Sequence, residues 1–221
     1  KDKINIACNQ KEIIPSILRD FSAPVILKTD LKFNEYIHIL KFDTDSFNKW
    51  DAAQNLYLKC FENDTSLNVF ATTLEKLIFE ESINYSLLAL LLELPSRNSF
   101  ESLSNTVDPI IMYKRKKDFM KKIASSLKEV FEISILNLMK NKIHYHKCID
   151  ERALLEKLLK YLLLIDSKIG SEIAKKISTS KNMTLSIIGL KSLCLGNHET
   201  ALEYLNEFYK KWEGNDLVVE K

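Results

Sequence analysis

Glycine and proline are both scarce, with four of each in 221 residues, where an average chain of this length carries roughly 15 glycines and about 11 prolines. A chain so poor in turn formers points to helices, and no proline follows Pro109. Arginine occurs only at Arg19, Arg97, Arg115 and Arg152, a thin supply for bidentate recognition of phosphate or carboxylate. The cysteines, Cys8, Cys60, Cys148 and Cys194, form no C-x-x-C pair. Their separation argues against a zinc ribbon and a dense disulfide framework, and makes reduced thiols in the cytoplasm the expectation. The longest apolar run, residues 87–92, is closed by Glu93 and falls far short of the ~20 residues that span a bilayer. No G-x-S-x-G, Walker loop, G-x-G-x-x-G or His-Glu-x-x-His motif occurs, so no motif-borne hydrolase, nucleotide or zinc-peptidase chemistry is written in these residues.

What is present is a globular composition, 46% hydrophobic and 28% charged, with a formal net charge of +2. So small a net charge provides no overall field toward nucleic acid or an anionic membrane, and neither is expected as a partner. Residues 1–31 carry short β-branched runs at 4–8, 13–18 and 24–27, which read as two or three strands. So few strands cannot bury a core alone, so they are expected to be the edge of a sheet whose other strands lie elsewhere. The chain also starts at Lys1 with neither an initiator Met nor a signal peptide, and reads as a piece of something larger.

From Lys32 onward the period turns helical. Residues 45–63 place Phe47, Trp50, Ala53, Leu56, Tyr57 and Cys60 on one stripe, opened by Thr44 and Asp45, as a core-facing amphipathic helix requires. Further helices are expected at 66–79, 83–94, 109–140, 150–165, 167–177, 182–195 and 199–212. Asp108 followed by Pro109 is a helix start, with Asp as cap and Pro at the first helical position. Leu154, Leu155, Leu158, Leu159, Leu162 and Leu163 form a broad stripe that belongs between neighbouring helices. The expected fold class is therefore mainly α: a superhelical, armadillo/HEAT-like array of antiparallel helix pairs preceded by a short β-strand stub.

Three clusters could carry chemistry. His144, His146 and Cys148 offer zinc donors, but residues two apart point to different sides of a helix, and no acidic partner is pre-placed. Lys114, Arg115, Lys116, Lys117, Lys121 and Lys122 lack the interleaved aromatics and chain-wide charge of a nucleic-acid patch, and read as a solvated helix face. Glu80 and Glu81 are adjacent rather than opposed across a cleft, so they read as a helix terminus. No catalytic, cofactor-binding or metal residue is assigned.

Residues 15–25, 45–54 and 182–184, together with Trp212 and Asp216 through Val218, resemble the bacterial-type aminopeptidase N branch of the gluzincin zinc aminopeptidases. Strings at 94–96 and 107–110 fall between them in the family's order. The resemblance implies a four-domain zinc enzyme that removes N-terminal amino acids from short peptides. Residues 1–31 would be the last strands of its β-sandwich domain, and residues 32–221 most of a C-terminal helical domain that caps the active site. Zinc would be held by the catalytic domain of the same parent chain, with none bound by these 221 residues. By the same resemblance Pro15, Phe21, Ala23 and Pro24 shape the joint, Phe47, Trp50 and Ala53 build the first helix pair, and Asn182 starts a late helix. Leu185 departs from the family, which usually has Asp there. The different-class alternative is a non-catalytic helical-repeat scaffold, suggested by Gly196, Ala201, Leu202, Tyr204, Leu205 and Tyr209, although the pattern does not recur 34 residues upstream, the repeat length such a helix pair would need.

Overall fold

The computed structural model describes residue 9 and residues 13–25, 27–80, 82–104, 108–140 and 147–219. Among them every regular element is a helix. In order these are α1 (Phe33–Phe42), α2 (Ser46–Glu62), α3 (Leu67–Ile78), α4 (Tyr85–Leu91), α5 (Arg97–Glu101), α6 (Pro109–Ser126), α7 (Lys128–Lys140), α8 (Ile149–Leu164), α9 (Lys168–Ser178), α10 (Met183–Leu195), α11 (Ala201–Trp212) and the short α12 (Asp216–Val219). Single 3-10 turns lie at Arg19–Phe21 and Asp64–Ser66.

Helix starts follow side-chain chemistry. Asp45 accepts from the Asn48 amide at 2.8 Å, Asp108 accepts from Ile110 and Ile111 at 2.8 and 3.1 Å with Pro109 first in the helix, and Asn182 accepts from Leu185 at 3.2 Å. Each cap satisfies amide donors that the first turn leaves without a helical partner. The cap at Asn182 forms with Leu185 in place, because it uses that residue's backbone and not its side chain.

The core is continuous and α8 runs through its centre, packed against α4, α6, α7, α9 and α10. All six leucines of its expected stripe are buried, as is Tyr161. α10 is buried on most sides, including Leu185, Ser186, Ile188, Gly189, Leu190, Ser192 and Leu193, because α8, α9 and α11 all pack on it.

Two expectations are corrected. The strands at 13–18 and 24–27 are absent among the described residues, and the run at 4–8 lies outside them. Leu18, Asp20 and Phe21 take positive φ of 56°, 54° and 52°, which breaks an extended course. Polar groups here turn toward the α1–α2 corner instead of a neighbouring strand. Ser16 donates to Asp43 at 2.6 Å, Arg19 donates to Asp43 at 2.8 Å and to Thr44 at 2.7 Å, and the Asp20 amide donates to Asp45 at 3.0 Å. Phe21 meets Phe47 with ring centroids 5.1 Å apart, and Phe47 meets Trp50 at 5.7 Å. Phe47 and Trp50 are thus half-buried under this strap, while Ala53, Leu56, Tyr57 and Cys60 enter the core.

The helix expected over 109–140 is two helices. Leu127 leaves helical geometry at φ −114° and ψ 14° with its side chain fully buried. No Gly or Pro marks the break, and Ile123, Leu127 and Phe131 are all buried across it. α1 and the single-turn α5 were not among the expected helices.

α9 and α10 approach so closely that a Cβ on Gly189 would lie 2.6 Å from both the Ala174 carbonyl oxygen and the Ser178 nitrogen. Both atoms are backbone and cannot swing aside. Gly189→Ala is therefore expected to destabilise the chain by about 1–3 kcal/mol, read as a lower urea midpoint with an unchanged slope.

Candidate functional site

The stretch that leaves α4, residues 91–95, is where side chains from three helices converge. The Leu88 and Leu90 carbonyls at the end of α4 accept from the Leu92 and Glu93 amides, and the carbonyls that follow are supplied by side chains of other helices. Tyr57 of α2 donates to the Leu91 carbonyl and Tyr161 of α8 to the Leu92 carbonyl, each at 2.9 Å. Gln54 of α2 donates to the Glu93 carbonyl at 2.9 Å, and Lys116 of α6 to the Pro95 carbonyl at 3.1 Å. Burial raises the ionisation of both tyrosines well above the ordinary range, so both hydroxyls stay protonated donors at neutral pH.

Beside this knot lies a groove of about 320 Å³. Its walls are α5, the first three turns of α6, and the C-terminal ends of α8 and α10. Phe100, Pro109, Met112, Met120, Leu164 and Leu195 make it apolar, and Arg97, Tyr113, Lys116, Lys117 and Lys160 border it. No carboxylate among the described residues lines it. Pro109, Met112, Tyr113, Lys116, Lys117 and Met120 recur at three- and four-residue spacing, so one face of α6 presents alternating apolar and cationic groups to the groove.

The cations differ in how far they are committed. Arg97 pairs with Glu101. Glu93 pairs with Lys157 and also lies 3.7 Å from the Lys160 Nζ, so one carboxylate serves two ammoniums. Lys116 also sits over the Phe100 ring at 4.8 Å, and burial together with the Lys160 charge holds it below the usual lysine range. Lys117 has no ion-pair partner among the described residues.

The basic cluster read as one solvated face is in fact dispersed. Arg115 stacks on Phe61 at 4.7 Å, Lys122 pairs with Asp64, Lys116 and Lys117 enter the groove, and Lys114 and Lys121 are exposed. The signal that could have separated them was the pair of lysines set into the stripe of Pro109, Met112, Tyr113 and Met120. Glu80 is exposed and accepts from Ser82 at 2.6 Å, while Glu81 lies outside the described residues. His144 and His146 also lie outside them, and Cys148 stands at the start of α8. His38 packs on Phe42, and His198 engages Thr200. No three His, Cys, Asp or Glu side chains among the described residues could jointly hold a metal ion.

The profile of a family described as a domain of unknown function (DUF3458_C) with ARM repeats matches residues 34–221. The chain belongs to this family. Over 220 residues it is 25% identical to aminopeptidase N of Escherichia coli (strain K12), covering 94% of this chain and 25% of that protein. It is 27% identical to aminopeptidase N of Haemophilus influenzae over the same shares. In fold it matches a crystal structure of Legionella pneumophila aminopeptidase A in complex with aspartic acid, with a TM-score of 0.76, at 24% identity, over 91% of this chain and 26% of that one. The resemblance read from residues 15–25 and 45–54 is thus borne out, and the chain spans about a quarter of the length of the relatives it matches.

Two outcomes are expected at the α4 terminus. Tyr161→Phe leaves the buried Leu92 carbonyl without its donor and should cost about 1–3 kcal/mol of stability in urea unfolding. Burial raises the Glu93 carboxyl, but Lys157, Lys160 and Lys116 outweigh it and hold Glu93 below the usual carboxylate range. Its contribution is therefore present above the unfolded value of about 4.3 and is lost as pH falls through the lower folded value. Urea midpoints followed downward from pH 7 should fall less steeply for Glu93→Gln than for the parent chain.

Proposed function

We propose that this chain is the C-terminal helical domain of a zinc-dependent aminopeptidase that removes N-terminal residues from short peptides, and that its role is to cap the active site and limit substrate access. The observation that carries this reading is the near-complete alignment of the chain with about a quarter of each aminopeptidase N. The ARM-repeat character of residues 34–221 supports a superhelical array of helix pairs, a shape suited to walling a chamber. Residues 1–31 form the joint to a preceding β-sandwich domain, with the strap through Ser16, Arg19 and Phe21 seated on the α1–α2 corner.

Zinc would be held by the catalytic domain of the same parent chain, a reading that the likeness to aminopeptidase N supports. The 221 residues alone are inactive. Cytoplasmic location agrees with scattered cysteines outside any disulfide pattern; no helix among the described residues is long and apolar enough to cross a membrane.

The test is to isolate the native polypeptide with an antibody to this chain and measure its mass and its hydrolysis of alanyl p-nitroanilide. A mass about four times the 25.6 kDa of this chain, with activity lost to a chelator and restored by zinc, is expected. The recombinant 221-residue chain should be inert. A native protein near the mass of this chain and without activity would overturn the peptidase reading in favour of a helical-repeat scaffold.

A further inference from the structure

The groove between α5, α6, α8 and α10 has the features of a binding site. Its volume, about 320 Å³, lies at the lower end of the range for small-ligand sites. Its floor presents Phe100, Met112 and Met120, and methionine adapts to apolar groups of varied shape. Its rim is cationic without a compensating carboxylate among the described residues of the lining. Lys116, Lys117 and Lys160 share the lining; burial together with the Lys160 charge holds Lys116 below the usual lysine range, and Lys117 has no ion-pair partner among the described residues. Glu93, which pairs with Lys157 and lies 3.7 Å from Lys160, is one carboxylate serving several ammoniums, so the group keeps a surplus of positive charge that a bound anion would offset.

We propose that this groove binds the C-terminal carboxylate of a short peptide whose last side chain is apolar, with Lys117 and Lys160 facing the carboxylate and Met112, Met120 and Phe100 receiving the side chain. The choice of a peptide rests on the aminopeptidase reading. An aminopeptidase consumes peptides from the amino end, so substrate and shortened product carry the same C-terminal carboxylate at every turnover. A site for it would hold the tail of the peptide while its amino end is presented for cleavage.

Methionine methyl NMR on the purified chain tests this. Met112 and Met120 line the groove, whereas Met139 and Met183 do not. The probe is N-acetyl-Ala-Ala-Phe, which an aminopeptidase cannot cleave, compared with its C-terminal amide and with decanoate. The acid should shift the Met112 and Met120 methyls saturably and leave the other two still, with the amide at least tenfold weaker. Lys117→Glu should weaken the acid at least fivefold with little change in melting temperature, since Lys117 makes no ion pair among the described residues. Tyr113→Ser, at an exposed position on the groove wall, should weaken acid and amide alike.

Equal binding of acid and amide, no saturable shift at Met112 and Met120, or decanoate binding as tightly as the peptide would each overturn the proposal. The comparison of acid with amide on the unaltered chain decides even if a variant fails to fold. The blocked peptide needs no catalytic domain, and alanyl p-nitroanilide has no C-terminal carboxylate. Loss of the groove site with anilide hydrolysis intact in the parent enzyme would therefore leave the peptidase reading standing.

Discussion

The arrangement of the helices depends on how the end of α4 is satisfied. A chain that leaves a helix inside a protein carries carbonyls that need donors, and at Leu91, Leu92, Glu93 and Pro95 they are met by Tyr57, Tyr161, Gln54 and Lys116. These donors come from α2, α8 and α6, so one short stretch fixes three helices in register with α4. Both tyrosines are essentially fully buried. Neither hydroxyl could be left without an acceptor there, and neither carbonyl without a donor, so the contacts constrain each other.

The groove is a by-product of the same constraint. Lys116 reaches back from α6 to the Pro95 carbonyl just before α5, and Lys117 and Tyr113 line the groove with the ends of α8 and α10. Glu93 pairs with Lys157 and lies 3.7 Å from Lys160, which lines the groove. The cationic rim thus arises where charges recruited to stabilise a helix end exceed the acids available to them, and the surplus faces open space.

Much of the fold was legible because it rests on local chemistry. Asp45, Asp108 with Pro109, and Asn182 announce helix starts through hydrogen bonds that close within three residues, and the leucine stripe of 154–163 announces a central helix by spacing alone. Ser96 also caps α5, accepting from Ser99 at 3.2 Å, but a single turn is too short to show a period. α1 was not among the expected helices although Tyr36, Ile37, Ile39 and Leu40 are buried at helical spacing, while the β-branched runs before it were read as strands. That reading failed for a physical reason: β-branched residues favour an extended chain only where a neighbouring strand meets its amides, and the described part of this segment finds side-chain carboxylates of the α1–α2 corner instead.

The sequence by itself determined the helical class, most helix starts, the central place of α8 and, through residues 15–25 and 45–54, the kinship with aminopeptidase N. These are set by spacing and by bonds between near neighbours in the chain. Only the tertiary structure decided that α6 and α7 part at Leu127, that Gly189 lets α9 and α10 touch, and that Lys116, Lys117 and Lys160 share one groove. Each depends on atoms brought together from distant positions, Lys116 and Lys160 among them, and a periodicity confined to one helix carries no record of what will face it.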